Sequence, residues 1–330
     1  LHYTIPLIVG TLVTVAGIFY VAKHRQNGNS ATKTKRTKPL EEVHIPKFTF
    51  EDLQEDSEQR KQFLEWMDIE GFSIFTLNEE IQVQVDLYWE LTRKFFAKPM
   101  EYKSQFKGKP KYKDDIFEGK RQVNKGFLTI KEKEFLKLCL EDPQQTIPDD
   151  IEGFEETFRA LCLSLEEITK YLYTLVASTV DPSSKKVVHD KAAMDVVLDC
   201  VRLGSSVSMI DYAPIASKNE ITQVPSRDAP TEKTHFPSAT HCDTGFLTLI
   251  MCSTVPALQI KDRVTGSWFM PEKICDPKRD CFVILGKKIE QFAGFNNPDS
   301  TLFRATVHRV MMPYNQQRNS LLYFQDVPSQ

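Results

Sequence analysis

From residue 43 onward the apolar positions fall into two successive regimes. Residues 43–50 (VHIPKFTF) alternate and predict a short strand, and residues 51–70 place Leu53, Phe63, Leu64 and Met67 on one side of a helix. GFSIFTL (71–77) reads as a compact strand. A second helix is predicted from about Glu79 to Ala97, opened by Asn78 as N-cap and stopped at Pro99. Residues 150–179 carry Phe154, Phe158, Leu161, Leu165, Ile168, Leu172 and Leu175 at spacings of three, four and seven, the broad stripe of a helix that covers a sheet.

Beyond about Asp190 the pattern changes. VVLDCVRLG, SVSMIDYA, GFLTLIM, ALQI, CFVILG, QFAGF, ATVHRVMM and NSLLYF are short, rich in β-branched and aromatic residues, and separated by turn residues. Helices first and many short strands later predict an α+β, β-rich fold in which a helical layer (about 41–180) packs on a strand-rich core (about 190–325). There is no internal repeat and no natural cut, so residues 41–330 read as one domain.

Charge changes the picture at the N-terminal end. The 330 residues carry a net −3, yet residues 1–40 hold six Lys/Arg and no acid, which leaves −9 on residues 41–330. Ile5 to Ala22 is an uncharged run of eighteen residues, long enough as a helix to span about 27 Å. Tyr3 and Tyr20 sit near its ends, as interface anchors would. We expect residues 1–22 to be a membrane anchor and residues 23–40 a basic flexible tether, with the rest of the chain on the cytoplasmic side. The alternative is organelle targeting with the segment removed. Between Lys103 and Lys125 eight cations face three acids, which reads as a solvated surface segment or lid; the alternative is that some of its lysines, Lys120 among them, admit an anionic substrate together with Arg121. A pI near 6.2 gives no reason to expect nucleic acid. Seven scattered cysteines without C-x-x-C suggest neither disulfides nor a zinc cage.

The candidate chemistry lies in the strands. His241 and Asp243, in THCDTGFLTLI, share one face of an extended segment and form a two-ligand clip for a divalent metal. After sixty-four intervening residues, His308 in ATVHRVMM offers a third ligand. Two histidines and one carboxylate with open positions suit non-haem Fe(II) oxygen chemistry. Ten residues beyond His308, Arg318 and Ser320 again share a face, a fork and a hydroxyl suited to a carboxylate. His235 is read as a loop residue outside the site, and His2, His24, His44 and His189 as surface.

This ordered set resembles the Fe(II)/2-oxoglutarate-dependent oxygenases of the isopenicillin-N-synthase-like type. KFFAKPMEYKSQF (94–106), HCDTGFLTLIMCSTVPALQIKDRVTGSWFMP (241–271), CFVILGKKIEQFAGF and TVHRV extend the likeness over roughly residues 43–325. The resemblance implies a double-stranded β-helix (jelly-roll) core, with His241, Asp243 and His308 as Fe(II) ligands and Arg318 and Ser320 on the distal carboxylate of 2-oxoglutarate. Tyr212, in SMIDYAP, is similar to the family tyrosine that also holds the cosubstrate, although Asp211 and Ala213 depart from the pattern. Lys287 replaces an acidic residue after the ILG turn. The implied reaction consumes O2 and 2-oxoglutarate and oxidises a C–H bond of a small molecule, by hydroxylation, desaturation or ring closure, with succinate and CO2 released. A monomer is expected. The alternatives are an iron enzyme using the same triad without 2-oxoglutarate, a zinc hydrolase, and an inactive membrane-tethered binding protein on the same fold.

Overall fold

A computed structural model describes residues 36–54, 57–108, 111–115, 119–123, 125–130, 133–140, 142, 144–180, 205–214, 234–290, 303–313 and 316–326. The expected anchor at 1–22, the tether up to residue 35, and the VVLDCVRLG and QFAGF segments lie outside these residues. Among the described residues no helix is long and apolar enough to cross a membrane.

Two sheets face each other. Eight strands form the larger, in the order β1 (Lys47–Thr49), β2 (Phe72–Thr76), β12 (Asp280–Leu285), β9 (Leu247–Met251), β14 (Arg318–Gln325), β7 (Ser206–Tyr212), β6 (Lys133–Leu138) and β5 (Gly126–Ile130). The smaller runs β11 (Trp268–Phe269), β10 (Leu258–Lys261), β13 (His308–Pro313), β8 (Thr234–His241). Among these pairings only β1 with β2 is parallel. A separate hairpin, β3 (Lys111–Asp115) with β4 (Gly119–Val123), occupies the lysine-rich segment.

The large sheet is covered on both faces, so its central strands read as unbroken apolar runs. In β12, Cys281, Val283 and Leu285 face the helices, while Phe282 and Ile284 face the small sheet with Leu258, Ile260 and Phe269. The helical side is α2 (Glu58–Glu70), α3 (Glu79–Phe96) and α5 (Phe154–Val180), whose Phe63, Met67, Tyr88, Phe95, Phe158 and Leu165 form one buried cluster with the sheet. Asn78 caps α3 as expected, accepting from the Ile81 N–H at 3.0 Å. Short helices α1 (Phe50–Gln54) and α4 (Met100–Ser104) complete the layer.

Three expectations need correction. The helix predicted over 51–70 is two helices, because the Ser57 side chain accepts from the Arg60 N–H at 3.2 Å and starts α2 anew. Residues 41–180 give the large sheet more than the two strands expected at 43–50 and 71–77, since β5 and β6 join it as well as β1 and β2. The basic segment is not free up to residue 40. The Arg36 guanidinium lies 2.6 Å from both Glu70 and Asp262, and the Leu40 N–H donates to Asp262 at 2.7 Å. Burial would raise the Asp262 pKa, but Arg36 and three backbone N–H groups hold it below the usual carboxylate range. The six described cysteines are free thiols.

Candidate active site

His241 ends β8 and His308 begins β13, and the two are direct partners in the antiparallel register, with ring centroids 4.2 Å apart. Each ring is fixed through Nδ1, His241 to the Ala239 carbonyl at 2.7 Å and His308 to the Thr306 carbonyl at 3.0 Å. A carbonyl only accepts, so each Nδ1 carries the proton and each Nε2 keeps its lone pair. Both Nε2 atoms face Asp243 Oδ1, at 3.6 and 3.7 Å. The other Asp243 oxygen accepts from the Thr248 hydroxyl at 2.6 Å, which orients the carboxylate. The three ligand atoms lie within 4.8 Å of one another. Burial, then His308, push the His241 pKa below the ordinary imidazole value, with the Ala239 hydrogen bond and Asp243 opposing. A neutral imidazole is the form that binds a metal. The donor set therefore fits a divalent ion in tautomer, orientation and spacing.

Asp243 does not share a strand with His241, contrary to the sequence reading. β8 stops at His241, and Asp243 lies in the turn beyond it. That turn is fastened to the large sheet. The Lys287 N–H donates to the Asp243 carbonyl at 2.8 Å, Gly286 to Phe246 at 2.8 Å, and Phe246 to Gln325 at 2.9 Å. Glycine makes the approach possible: a Cβ on Gly286 would stand 2.1 Å from the Gly245 carbonyl oxygen. The clip is thus held from both sheets.

Arg318 and Ser320 project together from β14, with Nη1 donating to the Ser320 hydroxyl at 2.8 Å. The register places Tyr212 beside Arg318, its ring centroid 5.7 Å from Cζ. Tyr212 is hydrogen-bonded to Ser320; burial raises its pKa and Arg318 draws it back. All three side chains are buried. Tyr212 packs with Ile210, Ala257 and Val310, and Val310 stands two residues after His308 on β13, so cradle and metal clip border one apolar patch between the sheets. A guanidinium, a hydroxyl and a phenol converging there suit a carboxylate.

Glu272 was not foreseen. Its Oε1 accepts from Arg318 Nη2 at 2.7 Å and the Ser253 N–H at 3.3 Å, and its Oε2 from the Ala257 and Leu258 N–H groups at 2.6 and 2.7 Å. In FMPEK, between a strand and a basic stretch, it has the appearance of a surface acid; no local pattern distinguishes it. Thr248 was equally silent, one polar residue in an apolar strand. His235 lies on β8 rather than a loop, opposite Met312, because the strand begins seven residues before the ligand. His44 is exposed as expected, while His2, His24 and His189 lie outside the described residues. The side chains of Lys120 and Arg121 also lie outside them.

No protein-family model and no curated protein matches the sequence. The structure does match solved ones, and they show its fold: the jelly-roll fold that 2OG-Fe(II) oxygenases also have. A full-length Neurospora crassa protein crystallised with alpha-KG and thymine aligns at TM-score 0.61 and 17% identity over 86% of each chain. A dioxygenase for auxin oxidation from rice aligns at 0.59 and 16%, over 86% of this chain and 84% of that one. JOX2 in complex with 2OG, Fe and JA aligns at 0.60 and 14%, over 94% and 83%.

Proposed function

We propose that the chain is an Fe(II)- and 2-oxoglutarate-dependent oxygenase that oxidises a C–H bond of a small molecule. The observation that carries this reading is the inward set of two Nε2 lone pairs and one carboxylate oxygen, bordered by the Tyr212–Ser320–Arg318 cradle. When bound, Fe(II) with 2-oxoglutarate and O2 supplies the oxidising power, taking two electrons from 2-oxoglutarate, which becomes succinate and CO2, and two from the substrate. The chain's residues do the rest. His241 and His308 turn Nε2 toward the metal position because Nδ1 of each is held on a carbonyl. Thr248 fixes which Asp243 oxygen faces the metal. Arg318, Ser320 and Tyr212 take the distal carboxylate and set its direction, and the patch of Ile210, Ala257 and Val310 keeps water from the site.

The test is succinate formation from 2-oxoglutarate under O2, with and without Fe(II), over a panel of small metabolites. Substrate-triggered succinate that disappears in Asp243→Ala is expected; its absence with every metabolite, alongside no 2-oxoglutarate binding to the metal-loaded chain, would overturn the reading. A second reading, the same metal centre without 2-oxoglutarate, is favoured by one observation: Glu272 already occupies one arm of Arg318. We also propose that residues 1–22 anchor the chain with its catalytic part on the cytoplasmic side, on the strength of the uncharged run and the six cations after it. Release of the full-length chain by alkaline carbonate would refute that.

A further inference from the structure

Two thiols meet in the core between the sheets. Cys252 directly follows β9, and Cys275 directly follows a 3-10 turn, Pro271–Ile274. Asp280, the first residue of β12, brings the two segments together. Its carbonyl accepts from the Cys252 N–H at 3.1 Å, and its carboxylate from the Asp276 N–H at 2.9 Å. Lys47 at 2.6 Å and the Thr76 hydroxyl at 2.8 Å hold that carboxylate in turn. Both cysteines pack in the cluster of Ile250, Leu258, Phe282 and Ile284. Of the six described cysteines, these are the two whose thiols hydrogen-bond to each other.

The two sulfurs differ in access. Cys252 is 3% exposed, whereas Cys275 is only partly buried. The hydrogen bond to Cys275, then burial, push the Cys252 thiol up, so Cys252 keeps its proton at neutral pH and donates it to Cys275. A small oxidant meets Cys275 first and finds a second thiol already in contact, which is what a redox-sensing pair requires.

The pair also straddles Glu272. That residue stands on the Pro271–Ile274 turn, three residues before Cys275. Its carboxylate accepts from the Ser253, Ala257 and Leu258 N–H groups, in the β9–β10 connection that Cys252 begins. The same carboxylate holds Arg318 at 2.7 Å. For Glu272 to draw back from Arg318, the turn and the connection must move apart. A bond between the sulfurs opposes that movement.

We propose that Cys252 and Cys275 form a reversible disulfide that acts as a redox switch on the cosubstrate cradle: closed, it keeps Glu272 on Arg318 and weakens the hold on the 2-oxoglutarate carboxylate; reduced, it lets Glu272 yield. The oxidant is hydrogen peroxide. It takes an electron pair from the Cys275 sulfur, leaving a sulfenic acid and one water. The Cys252 sulfur then attacks that sulfur, the S–O bond breaks, and the hydroxide leaves with the Cys252 proton as a second water. Two thiols lose two electrons and two protons, and a reducing dithiol reverses the change by becoming a disulfide itself. The disulfide stands independently of the oxygenase reading; its effect on the cradle rests on it.

The full chain, free of metal, is treated with a small excess of hydrogen peroxide, digested without reduction and analysed by mass spectrometry. The peptides holding Cys252 and Cys275 are expected to be joined, and dithiothreitol to separate them. Cys275→Ser should leave Cys252 a thiol. Oxidised and reduced chains are then freed of peroxide, loaded with Mn(II) and titrated calorimetrically with 2-oxoglutarate. The oxidised chain is expected to bind about fivefold more weakly or worse, the low end of ordinary coupling between sites. Dithiothreitol should restore the affinity, and Cys275→Ser should show no change on oxidation. In Glu272→Gln, which lacks the charge, the two forms should bind alike. No joined peptides from the unaltered chain, equal affinity of its joined and reduced forms, or an undiminished effect in Glu272→Gln overturns the proposal. No binding of 2-oxoglutarate by the reduced chain overturns the oxygenase reading and the switch with it, and joined peptides would then stand for a disulfide alone.

Discussion

The guanidinium of Arg318 and the carboxylate of Glu272 form an ion pair of 2.7 Å, with the two side chains 1% and 0% exposed. A buried pair of this kind contributes little net stability, yet removing one member leaves the other charge stranded, at a cost of about 3–5 kcal/mol. Glu272 also accepts three backbone N–H groups of the β9–β10 connection. Glu272→Ala should therefore destabilise the chain by about that amount in urea unfolding. Glu272→Gln keeps one of the two acceptor oxygens, sets an NH2 against N–H donors at the other, and loses the charge that opposes an incoming carboxylate. Calorimetric titration of 2-oxoglutarate into the Mn(II)-loaded chain should show tighter binding in Glu272→Gln, by about tenfold for each 1.4 kcal/mol of repulsion relieved. Unchanged or weaker binding would mean that Glu272 only holds Arg318 in place.

The metal clip makes a graded prediction. Asp243→Ala removes a ligand and should abolish measurable Mn(II) binding. Thr248→Val removes only the hydroxyl that orients the carboxylate, and such outer contacts are worth about 10–100-fold in metal affinity. Thr248 is buried and its replacement is nearly isosteric, so the fold should persist while Mn(II) affinity falls in that range. An unchanged affinity would show that the 2.6 Å hydrogen bond contributes nothing to the site.

Much of this was legible in the sequence where one local force dominates. Asn78 and Pro99 bracket α3 because a cap and a missing N–H act within a few residues. β9 and β12 stand out as apolar runs because both their faces are covered. His241 and His308 were found by residue type, and the register then made them direct partners. What was hidden depends on distant chain. The β5–β6 hairpin joins the large sheet although Lys133 and Lys137 break its apolar pattern, the first toward the site and the second with its ammonium 4.9 Å from the Phe324 ring. Asp243 left the strand because its carbonyl is claimed by Lys287, forty-four residues later. Glu272 has meaning only through Arg318, forty-six residues away.

The Arg36–Asp262 contact should give a pH dependence. Arg36 and backbone N–H groups depress the Asp262 pKa in the folded state, against the effect of burial. A depressed folded pKa contributes stability that is fully present above the unfolded value, about 3.9, and is lost as pH falls through the folded one. Asp262→Asn should be less stable than the unaltered chain at pH 7, by about 1.5–3 kcal/mol as for hydrogen bonds to a charged group. The gap should narrow as pH drops below about 4. Urea titrations of both chains across that range would expose a constant gap, which would separate the contact's worth from the Asp262 charge.

Gly286 links stability to the metal site in a way that Gly266 does not. A Cβ on Gly286 would lie 2.1 Å from the Gly245 carbonyl oxygen and 3.2 Å from that of Asp243, and both are backbone atoms that cannot swing aside. Gly286→Ala must therefore push the Asp243 turn off the large sheet, an overpacking cost of about 1–3 kcal/mol, and should weaken Mn(II) binding as well. Gly266 has a φ of +72° but nothing within 4 Å of its missing Cβ. Gly266→Ala should cost about 1 kcal/mol or somewhat more through backbone strain alone and leave Mn(II) affinity untouched. The two variants can thus be matched in stability and compared in metal binding. If both lose affinity equally, the turn's closeness to Gly286 is not what sets the Asp243 carboxylate.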